Sequence, residues 1–395
     1  MSTRPVLRVA MIGYGFMGAA HSQAWRTAPR VFDLPADVEM TVVVGRHAVA
    51  VADAAAKWGW AESATDWREV IARDDIEVVD IVTPGGSHAE IAIAALQAGK
   101  HVLCEKPLAN AVAEAEAMTD AAEQAAARGI RSMVGFTYRR VPAVTLMRDL
   151  IAQGRIGRVQ QVRASYRQDW LVDPEMPLGW RLQKEHAGSG ALGDIGAHAI
   201  DLAQFVTGQE VTSVSGVLET IVSERPVQGS GSGLSGTAGE GRGPVTVDDL
   251  AIFTGRLSSG ALASFEATRF ATGRKNALAI EVSGDRGALA FDFEDLNVLQ
   301  WYDRTAPNEV QGFTRIVVTE PEHPYVAAWW PAGHMLGYEH GFSHQVKDLV
   351  DAIVHGADPH PTFAEGLRVQ RVLAAVEESS AHDSRWVGVG SPAAG

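Results

Sequence analysis

The sequence predicts an α/β protein in which a doubly wound parallel sheet is followed by an α+β domain with a large, mostly antiparallel open sheet. Three observations lead to this prediction: strands alternate with helices over residues 1–137, a glycine-rich turn follows the first strand, and β-rich runs dominate after Val211. Alternating strands and helices are typical of parallel sheets covered by helices. The 395 residues exceed one core at roughly 150 residues per domain. We expect a first domain over 1–137 and a second over 138–395, whose last helices are able to pack back on the first.

In the first domain, short apolar runs rich in β-branched residues alternate with segments of helical period. Gly59, Gly99 and Gly129 stand where glycines end helices, and Ser87 with Glu90 has the spacing of a capping box. The predicted strands are Leu7–Ile12, Met40–Val44, Val78–Val82, His101–Cys104 and Ile130–Phe136, and the predicted helices are Met17–Thr27, Val49–Trp58, Trp67–Ala72, His88–Ala98 and Ala113–Arg128.

The second domain is predicted to contain fewer helices and more strands. Gly229–Gly243 holds seven glycines and three serines, so we expect a mobile surface loop inserted between two strands. The predicted helices are Ala143–Ala152, Ala191–Val206, Phe342–Ile353 and Ala364–Ser379, and the predicted strands cover Val162–Tyr166, Val245–Arg256, Ala261–Phe270, Leu278–Ser283, Ala288–Phe293 and Val298–Tyr302.

Composition excludes several classes of partner. With 48 acidic against 34 basic residues, the formal net charge is −14, and no lysine or arginine run offers a patch for nucleic acid. The one cysteine, Cys104, allows neither an intrachain disulfide nor a cysteine metal site, which fits a reducing compartment. No run approaches the about 20 apolar residues that span a bilayer. We therefore expect a cytoplasmic protein without membrane or nucleic-acid partners.

A dinucleotide-binding turn is predicted at Gly13–Gly18, between the first strand and the first helix. Its three glycines allow a tight turn, close approach of a pyrophosphate and close helix–strand packing, and the helix N-terminus supplies amide donors. The strand–turn–helix context distinguishes this motif from a merely tight turn. The predicted cofactor contacts in the turn are Gly13, Gly15, Phe16, Met17 and Gly18.

The identity of the dinucleotide is open at this point. NAD sites usually carry an acid at the end of the second strand, where it holds the ribose hydroxyls. Here that strand ends in Val44, Gly45 and Arg46. Arg46 could stack on adenine, pair with the 2′-phosphate of NADP, or simply be an exposed loop arginine. We expect NAD, with NADP as the alternative.

Two further loops follow neighbouring strands of the predicted parallel sheet, where open α/β sheets bind their ligands. A lysine directly after a buried strand suits an ammonium that hydrogen-bonds a substrate hydroxyl and stabilises developing negative charge, although a surface lysine is the simpler alternative. The predicted cofactor-contacting residues of these loops are Thr83, Pro84, Ser87, His88, Glu105 and Lys106.

A third motif opens a helix in the second domain. Asp194, His198 and Asp201 are spaced i, i+4 and i+7, so they share one stripe of a regular helix. An imidazole flanked by carboxylates suits general acid–base work near neutral pH, and a structural network is the alternative. No cysteine and no second histidine lie at ligand spacing, so no metal is expected.

Aromatic residues in segments broken by proline and glycine form a fourth group. Flat rings beside polar groups suit a sugar or polyol, whereas ordinary core or interface packing accounts for them equally well. The group contains Trp170, Trp180, Tyr325, Trp329, Trp330 and Tyr338, with Arg181 nearby.

Together these motifs resemble the Gfo/Idh/MocA oxidoreductase family over essentially the whole chain. The resemblance rests on Gly13–Gly18, on Glu105-Lys106-Pro107 and on the segment Gly193–Asp201, in that order. It implies a Rossmann domain, a catalytic pair formed by Lys106 and His198, and Asp194 as a substrate-binding or supporting acid. It also implies a homodimer or homotetramer assembled through the sheet of the second domain.

Further stretches resemble the levoglucosan dehydrogenase branch of this family, whose members oxidise a sugar 3-hydroxyl with NAD. These stretches are Gln168–Trp170, Asp173-Pro174, Trp180–Lys184 and Gly188–Asp194. The expected substrate-binding residues are Tyr138, Arg139, Gln168, Trp170, Trp180, Arg181, Asp194 and His198.

We therefore expect reversible hydride transfer between a secondary alcohol of a sugar or cyclic polyol and a nicotinamide. One alternative is a redox-neutral, NAD-dependent glycosidase that oxidises its substrate only transiently. Another is a regulator that senses a nucleotide or sugar without catalysis, although such a protein needs neither Lys106 nor His198.

Overall fold

A computed structural model describes residues 4–229 and 237–390. The chain forms two compact units, one made of the residues up to 137 together with 337–367, the other of 138–336 together with the residues from 368 onward. The strands are β1 (Val6–Ile12), β2 (Asp37–Val44), β3 (Glu62–Ala64), β4 (Val78–Ile81), β5 (His101–Cys104), β6 (Ser132–Val134), β7 (Val159–Arg167), β8 (Val211–Glu219), β9 (Glu224–Gln228), β10 (Ala238–Pro244), β11 (Leu250–Leu257), β12 (Leu262–Thr268), β13 (Ala277–Gly284), β14 (Gly287–Asp292), β15 (Val298–Asp303), β16 (Phe313–Val317) and β17 (Val387–Gly388). The α-helices are α1 (Phe16–Val31), α2 (Ala48–Trp58), α3 (Trp67–Ile71), α4 (His88–Gln97), α5 (Val112–Ala126), α6 (Pro142–Ala152), α7 (Lys184–Ala187), α8 (Ala197–Thr207), α9 (His340–His355) and α10 (Phe363–Ala381).

The first unit is built on a parallel sheet of order β3-β2-β1-β4-β5-β6. The order reverses between β1 and β4, which is the switch point where open sheets of this kind bind ligands. Strands β4 and β5 are apolar apart from Asp80 and His101, because helices cover both faces of a parallel sheet. The three loops singled out by the sequence therefore leave three adjacent strands, β1, β4 and β5, at one edge.

Helix α9 belongs to this first unit although it is distant in sequence. Its buried residues Val346, Leu349 and Val350 join the core that contains Trp25 of α1 and Val9 of β1. Burying side chains of this size contributes about 1.5–3 kcal/mol each relative to exposure.

The second unit contains a sheet of order β16-β15-β14-β13-β7-β12-β11-β8-β17. Within the described residues, β7 and β12 pair in parallel and the other neighbours pair antiparallel. Along β11 buried residues alternate with exposed ones, as a sheet covered on one side requires. Helices α6 and α8 pack on the covered face. The predicted fold class, a doubly wound domain followed by a mostly antiparallel open sheet, is confirmed.

Several predicted local features are wrong. Part of the segment expected to be a loop, Ala238–Gly243, lies in β10 and pairs with β9, while residues 230–236 lie outside the described part of the chain. Ser87 does not complete a capping box, since its hydroxyl donates to the Pro84 carbonyl at 2.9 Å and its oxygen lies 2.8 Å from the Thr83 hydroxyl. Strand β11 begins at Leu250 rather than at Val245, because Asp248 and Asp249 use their carboxylates to bind backbone N–H groups.

The helix predicted over Ala191–Val206 is also irregular in its first turns. Leu192–Gly196 forms a π-helical turn, and regular α-helix begins only at Ala197. Such turns are uncommon and are frequent at functional sites. Among the described helices, none is both long and apolar enough to cross a membrane.

Candidate active site

The glycine turn of the first unit has the local geometry that a pyrophosphate requires. Gly13 has φ of 113°, and a Cβ there would lie 2.9 Å from the Val82 carbonyl oxygen. A Cβ on Gly18 would lie 2.8 Å from the Gly13 carbonyl oxygen, so only glycine permits this close packing of α1. At Gly15, by contrast, no described atom lies within 4 Å of the Cβ position. Its place before the first turn of α1 leaves room for a phosphate at the amide donors.

The two residues that follow Gly15 differ in their surroundings. Phe16 is 62% exposed and its ring stacks on Tyr338 of the same unit, with 6.4 Å between centroids. Met17 is partly buried and packs against the core. Since the first turn of α1 contains no acidic side chain, nothing there repels an anion.

The end of β2 lacks an acid for a steric reason. A Cβ on Gly45 would lie 2.0 Å from the Tyr14 ring, so the ring occupies the space that a side chain would need. Arg46 follows in an exposed turn.

The buried side chain of His88 holds the loop after β4 through contacts with backbone carbonyl groups. This histidine is 1% exposed, and its ring nitrogens lie 2.8 Å from the Thr83 carbonyl oxygen and 3.1 Å from that of Pro107. Burial lowers the pKa of His88. A contact of His88 with the cofactor stays a prediction: its ring is enclosed and joins the two loops, while Thr83 and Ser87 are half-buried and Pro84 is exposed.

Two neighbouring residues in the loop after β5 differ in their exposure to solvent. Lys106 is half-buried, whereas Glu105 is 4% exposed. The Glu105 carboxylate lies 3.1 Å from Nε2 of His21 and accepts the backbone N–H of Lys106 at 3.2 Å. A contact of Glu105 with the cofactor also stays a prediction, while its carboxylate is enclosed by the protein.

In the second unit, the buried carboxylate of Asp248 fixes the entry to the π turn. It accepts the backbone N–H groups of Gly190 and Leu192, each at 2.7 Å. Burial raises the pKa of Asp248, and these hydrogen bonds and the charge of Arg269 oppose the shift. A Cβ on Gly190 would lie 1.8 Å from the Asp248 carbonyl oxygen, which explains the glycine at this position.

Asp194 projects from the π turn beside two arginines. Nη2 of Arg269 donates to its Oδ2 at 2.9 Å. The Arg269 side chain is fully buried, while 29% of the Asp194 side chain is exposed. Burial lowers the pKa of the nearby Arg181, and the charge of Asp194 opposes that shift. An exposed carboxylate edge with its charge compensated from within can accept hydrogen bonds from substrate hydroxyls.

His198, in the first turn of α8, is 8% exposed and lies against two tyrosines. Its ring centroid is 4.6 Å from that of Tyr138 and 5.8 Å from that of Tyr166. The two tyrosine hydroxyls are 2.7 Å apart, and Tyr166 donates to Asn276 Oδ1 at 2.6 Å. These contacts restrict the imidazole to one orientation, as a proton-transferring group requires.

Arg139 and Asp201 pair with each other in the second unit. They form a buried, bidentate salt bridge, with Arg139 Nε at 2.9 Å from Asp201 Oδ2, and the guanidinium also lies over the Phe205 ring. The residues are 6% and 2% exposed. Asp201 and His198 both lie in the regular helix α8, so the π turn changes the placement of Asp194 relative to them but not their own spacing. A contact of Arg139 with substrate stays a prediction.

The remaining predicted substrate residues of the second unit follow the central strand β7 or lie in the short helical turn Trp180–Leu182. Trp170 donates from Nε1 to Gln168 Oε1 at 3.0 Å, and the Gln168 amide donates to Asn276 Oδ1 at 2.8 Å. The Arg181 guanidinium lies 4.4 Å from the centre of the Trp180 ring. The side chains of the four predicted residues are half-buried, namely those of Gln168, Trp170, Trp180 and Arg181.

Sequence analysis missed several residues of these networks. Arg269 and Asn276 follow or precede strands without any motif, and their partners are distant in the sequence. His21 and Asp80 left one signal, since a charged residue inside the apolar run Val78–Ile81 is unusual for a buried strand.

A glycine turn of this geometry, at the switch point of a parallel sheet joined to a second sheet domain, defines a dinucleotide-dependent oxidoreductase. Residues 7–135 match the sequence profile described as "Oxidoreductase family, NAD-binding Rossmann fold", and residues 144–290 match the "GFO/IDH/MocA C-terminal domain". The chain belongs to the Gfo/Idh/MocA oxidoreductase family, as its motifs predicted.

Relatives are similar over almost the whole chain. Levoglucosan dehydrogenase of Pseudarthrobacter phenanthrenivorans is 44% identical over 388 residues, which is 97% of this chain and 98% of the relative. The crystal structure of an oxidoreductase domain protein from Kribbella flavida is 62% identical with a TM-score of 0.93, covering 98% of this chain and 100% of that one. A levoglucosan dehydrogenase structure in complex with NADH and levoglucosan is 41% identical with a TM-score of 0.91 over the same shares.

Proposed function

We propose that this protein oxidises the 3-hydroxyl of levoglucosan or of a closely similar sugar or glycoside, with NAD as the hydride acceptor. The observation that carries the proposal is the similarity to levoglucosan dehydrogenase over 97% of the chain, together with the ordered group of Asp194, His198, Tyr138 and Arg269 in the second unit. A compensated carboxylate and an oriented imidazole suit a substrate with several hydroxyl groups. Trp170 and Trp180 add aromatic surface for a sugar ring.

The first unit is proposed to hold the cofactor. The amides after Gly15 would bind the pyrophosphate, and Thr83, Ser87 and Pro84 would line the loop that follows β4. When bound, the nicotinamide supplies the hydride chemistry. The residues of this chain bind, orient and exchange protons around it.

His198 is proposed as the general base that takes the proton from the reacting hydroxyl. The Lys106 ammonium is proposed to hydrogen-bond the same oxygen and to stabilise the negative charge that develops on it. Asp194 would bind a neighbouring hydroxyl, and its orientation is set by Arg269. In the reverse direction His198 returns the proton to the oxygen.

A panel of sugars, glycosides and polyols, assayed for absorbance of the reduced nicotinamide with NAD and NADP in parallel, tests this function. Levoglucosan and its close analogues should give the highest kcat/KM. The redox-neutral glycosidase would cleave a glycoside without net NADH release. A sensor would bind ligands without turnover.

We also propose that the protein acts in the cytoplasm as a homodimer or homotetramer assembled through the uncovered face of the second unit's sheet. Val217 and Ile252 are directly opposed on β8 and β11, and Leu262 shares their face, each being about half exposed. A row of apolar side chains on one sheet face suits a second copy. Sedimentation of the wild type and of Ile252→Glu tests this, since the charge should reduce the oligomer to monomers.

A further inference from the structure

Beneath the loop that carries Lys106 lies a buried cluster of three ionisable side chains, all in the first unit. Asp80 of β4, His21 of α1 and Glu105 after β5 are 0%, 1% and 4% exposed. His21 Nδ1 lies 2.9 and 3.0 Å from the two Asp80 oxygens, and its Nε2 lies 3.1 Å from Glu105 Oε1. The imidazole therefore connects a strand in the middle of the sheet to the residue that precedes the lysine.

The charge of this cluster follows from its hydrogen bonds when both carboxylates are ionised. An ionised carboxylate only accepts hydrogen bonds, so both ring nitrogens of His21 then donate, which makes the ring an imidazolium. Burial alone would lower the pKa of His21, but the charge and hydrogen bond of Asp80, and then those of Glu105, raise it to about 10. Asp80 also accepts from Nε1 of Trp25 at 2.7 Å.

The surrounding backbone is shaped to hold Glu105 in place. A Cβ on Gly135 would lie 2.5 Å from Glu105 Oε1, so glycine at the end of β6 provides the space for the carboxylate. The Glu105 backbone N–H donates to Ile81 at 2.9 Å. Its other carboxylate oxygen accepts the Lys106 backbone N–H at 3.2 Å. The carboxylate is thus fixed between His21 on one side and the Lys106 backbone on the other.

We propose that His21 is a positioning residue for catalysis: by holding Glu105, it sets the backbone of Lys106 and thereby the place of the lysine ammonium. The inference rests on the proposed function, in which Lys106 stabilises charge on the reacting oxygen. A cluster that only attached α1 to the sheet would stabilise the fold without affecting the chemical step. If His21 acts through Lys106, substituting His21 slows turnover only in protein that retains Lys106. If the cluster only stabilises the fold, the effect of the substitution does not depend on Lys106.

A double-mutant cycle separates them. His21→Asn should lower kcat about 10- to 100-fold, the scale expected when a reacting group is displaced by about 1 Å, with the dissociation constant of NAD changed less than about twofold. In the Lys106→Ala background, the same substitution should change kcat less than about twofold. Equal losses in both backgrounds, or a loss expressed only in NAD binding, would overturn the inference.

His101→Asn is the matched control, because His101 begins β5, whereas Glu105 and Lys106 follow the other end of that strand. His101 accepts the Arg131 backbone N–H through Nδ1 at 2.9 Å, and the Asn oxygen can replace that acceptor. This variant should retain turnover within about twofold of the wild type. If it lost as much turnover as His21→Asn, general loosening of β5 would explain both, and the inference would be wrong.

The outcomes also distinguish the inference from the proposed function. Full activity of Lys106→Ala would overturn both the role of the lysine and this inference. A slow Lys106→Ala enzyme with unchanged turnover in His21→Asn would overturn the inference alone. If His21→Asn does not fold, Glu105→Gln takes its place in the cycle, because it keeps the volume and an acceptor oxygen while removing the charge that His21 faces.

The charge state can be measured without a variant that perturbs the site. In wild-type protein labelled with ¹⁵N-histidine, both ring nitrogens of His21 should carry protons at neutral pH and exchange slowly with water. The His101→Asn protein should show the same pair of signals. A single protonated nitrogen would overturn the inference, since Glu105 would then lack its charged partner.

Discussion

Arg269 and Asp194 form a one-sided ion pair: the arginine is fully buried, the aspartate is partly exposed, and 2.9 Å separates Nη2 from Oδ2. Arg269 also donates to the Gly190 carbonyl at 3.3 Å and lies over the Trp170 ring. Its Nε and Nη1 find no acceptor among the described residues. A buried guanidinium with unsatisfied donors costs stability, which is consistent with retention for a role at Asp194 rather than for folding.

Replacing Arg269 by glutamine should therefore damage sugar binding more than folding. Without its cationic partner, Asp194 loses its fixed orientation, and kcat/KM for the sugar should fall about 10- to 100-fold, as expected when a charged hydrogen bond of about 1.5–3 kcal/mol is lost. The dissociation constant of NAD should not change. Arg163→Gln is the control, since Arg163 pairs with Glu281 on an exposed surface of the same sheet, where such pairs contribute little. Equal effects of the two substitutions would contradict the assignment.

The proposed base and the proposed electrophilic lysine should be separable by their effects on turnover. His198→Ala and Lys106→Ala should each lower kcat about 10²- to 10⁴-fold, the usual range for lost acid–base assistance. NAD binding, measured by isothermal titration, should survive in His198→Ala, because His198 belongs to the second unit. Near-native turnover in His198→Ala would show that another group accepts the proton.

What the sequence predicted best was local. The three roles assigned to the glycines of the turn match a positive φ at Gly13, open space at Gly15 and close packing at Gly18. The local pattern failed where long-range contacts decide the structure. The π turn has the same apolar spacing as a regular helix, and its entry is fixed by contacts with Asp248, more than fifty residues away.

Contacts between charged side chains that are distant in the sequence could not be predicted either. Arg269 meets Asp194 across 75 positions, and His21 meets Glu105 across 84. No period of helix or strand relates such residues, so a single sequence gives no signal of their contact. The pairing of Arg139 with Asp201 was missed for the same reason, because the two residues lie 62 positions apart.

The hairpin of β9 and β10 determines how deletions within residues 229–243 should affect thermal stability. Gly229 donates its backbone N–H to the Thr237 carbonyl at 2.8 Å, so the two residues that flank 230–236 are hydrogen-bonded to each other. Replacing 230–236 by Asn-Gly should leave the thermal midpoint nearly unchanged, because closure entropy depends weakly on loop length. Deleting Gly229–Gly243 should lower it, since β10 and the salt bridge between Arg242 and Glu175 are lost as well.

Differential scanning calorimetry of both deletions checks this expectation. Equal midpoints for the two proteins would show that β10 adds nothing to stability. A large drop for the shorter deletion would show that residues 230–236 make stabilising contacts.

The buried imidazolium predicts that stability falls with rising pH. In the folded protein the pKa of His21 is raised to about 10, and in the unfolded chain it returns to 6.5. This contribution to the free energy of unfolding is therefore complete below pH 6.5 and is lost as the pH rises towards 10. One proton taken up on folding corresponds to a slope of about 1.4 kcal/mol per pH unit.

Urea unfolding between about pH 7 and pH 9 measures this slope. The His101→Asn variant should keep it, because burial, followed by the charge of Arg131, lowers the pKa of His101 to about 4, well outside this range. A flat profile in the wild type would contradict an imidazolium at His21.

The last prediction concerns selection between NAD and NADP at the end of β2. An acid that would accept the ribose hydroxyls and repel a 2′-phosphate is absent there, because the Tyr14 ring fills the space above Gly45. Without that repulsion, we expect NAD activity accompanied by measurable NADP activity. The exposed Arg46 can then make a charge-assisted hydrogen bond to the 2′-phosphate, worth about 1.5–3 kcal/mol. Arg46→Ala should therefore lower kcat/KM for NADP about 10- to 100-fold and change the value for NAD much less.

The measurement compares kcat/KM for both cofactors in the wild type and in Arg46→Ala. Arg68→Ala is the control for loss of an exposed arginine in the same unit. Equal losses for both cofactors would mean that Arg46 stacks on adenine, and a wild type inactive with NADP would mean that Tyr14 or the backbone excludes the phosphate.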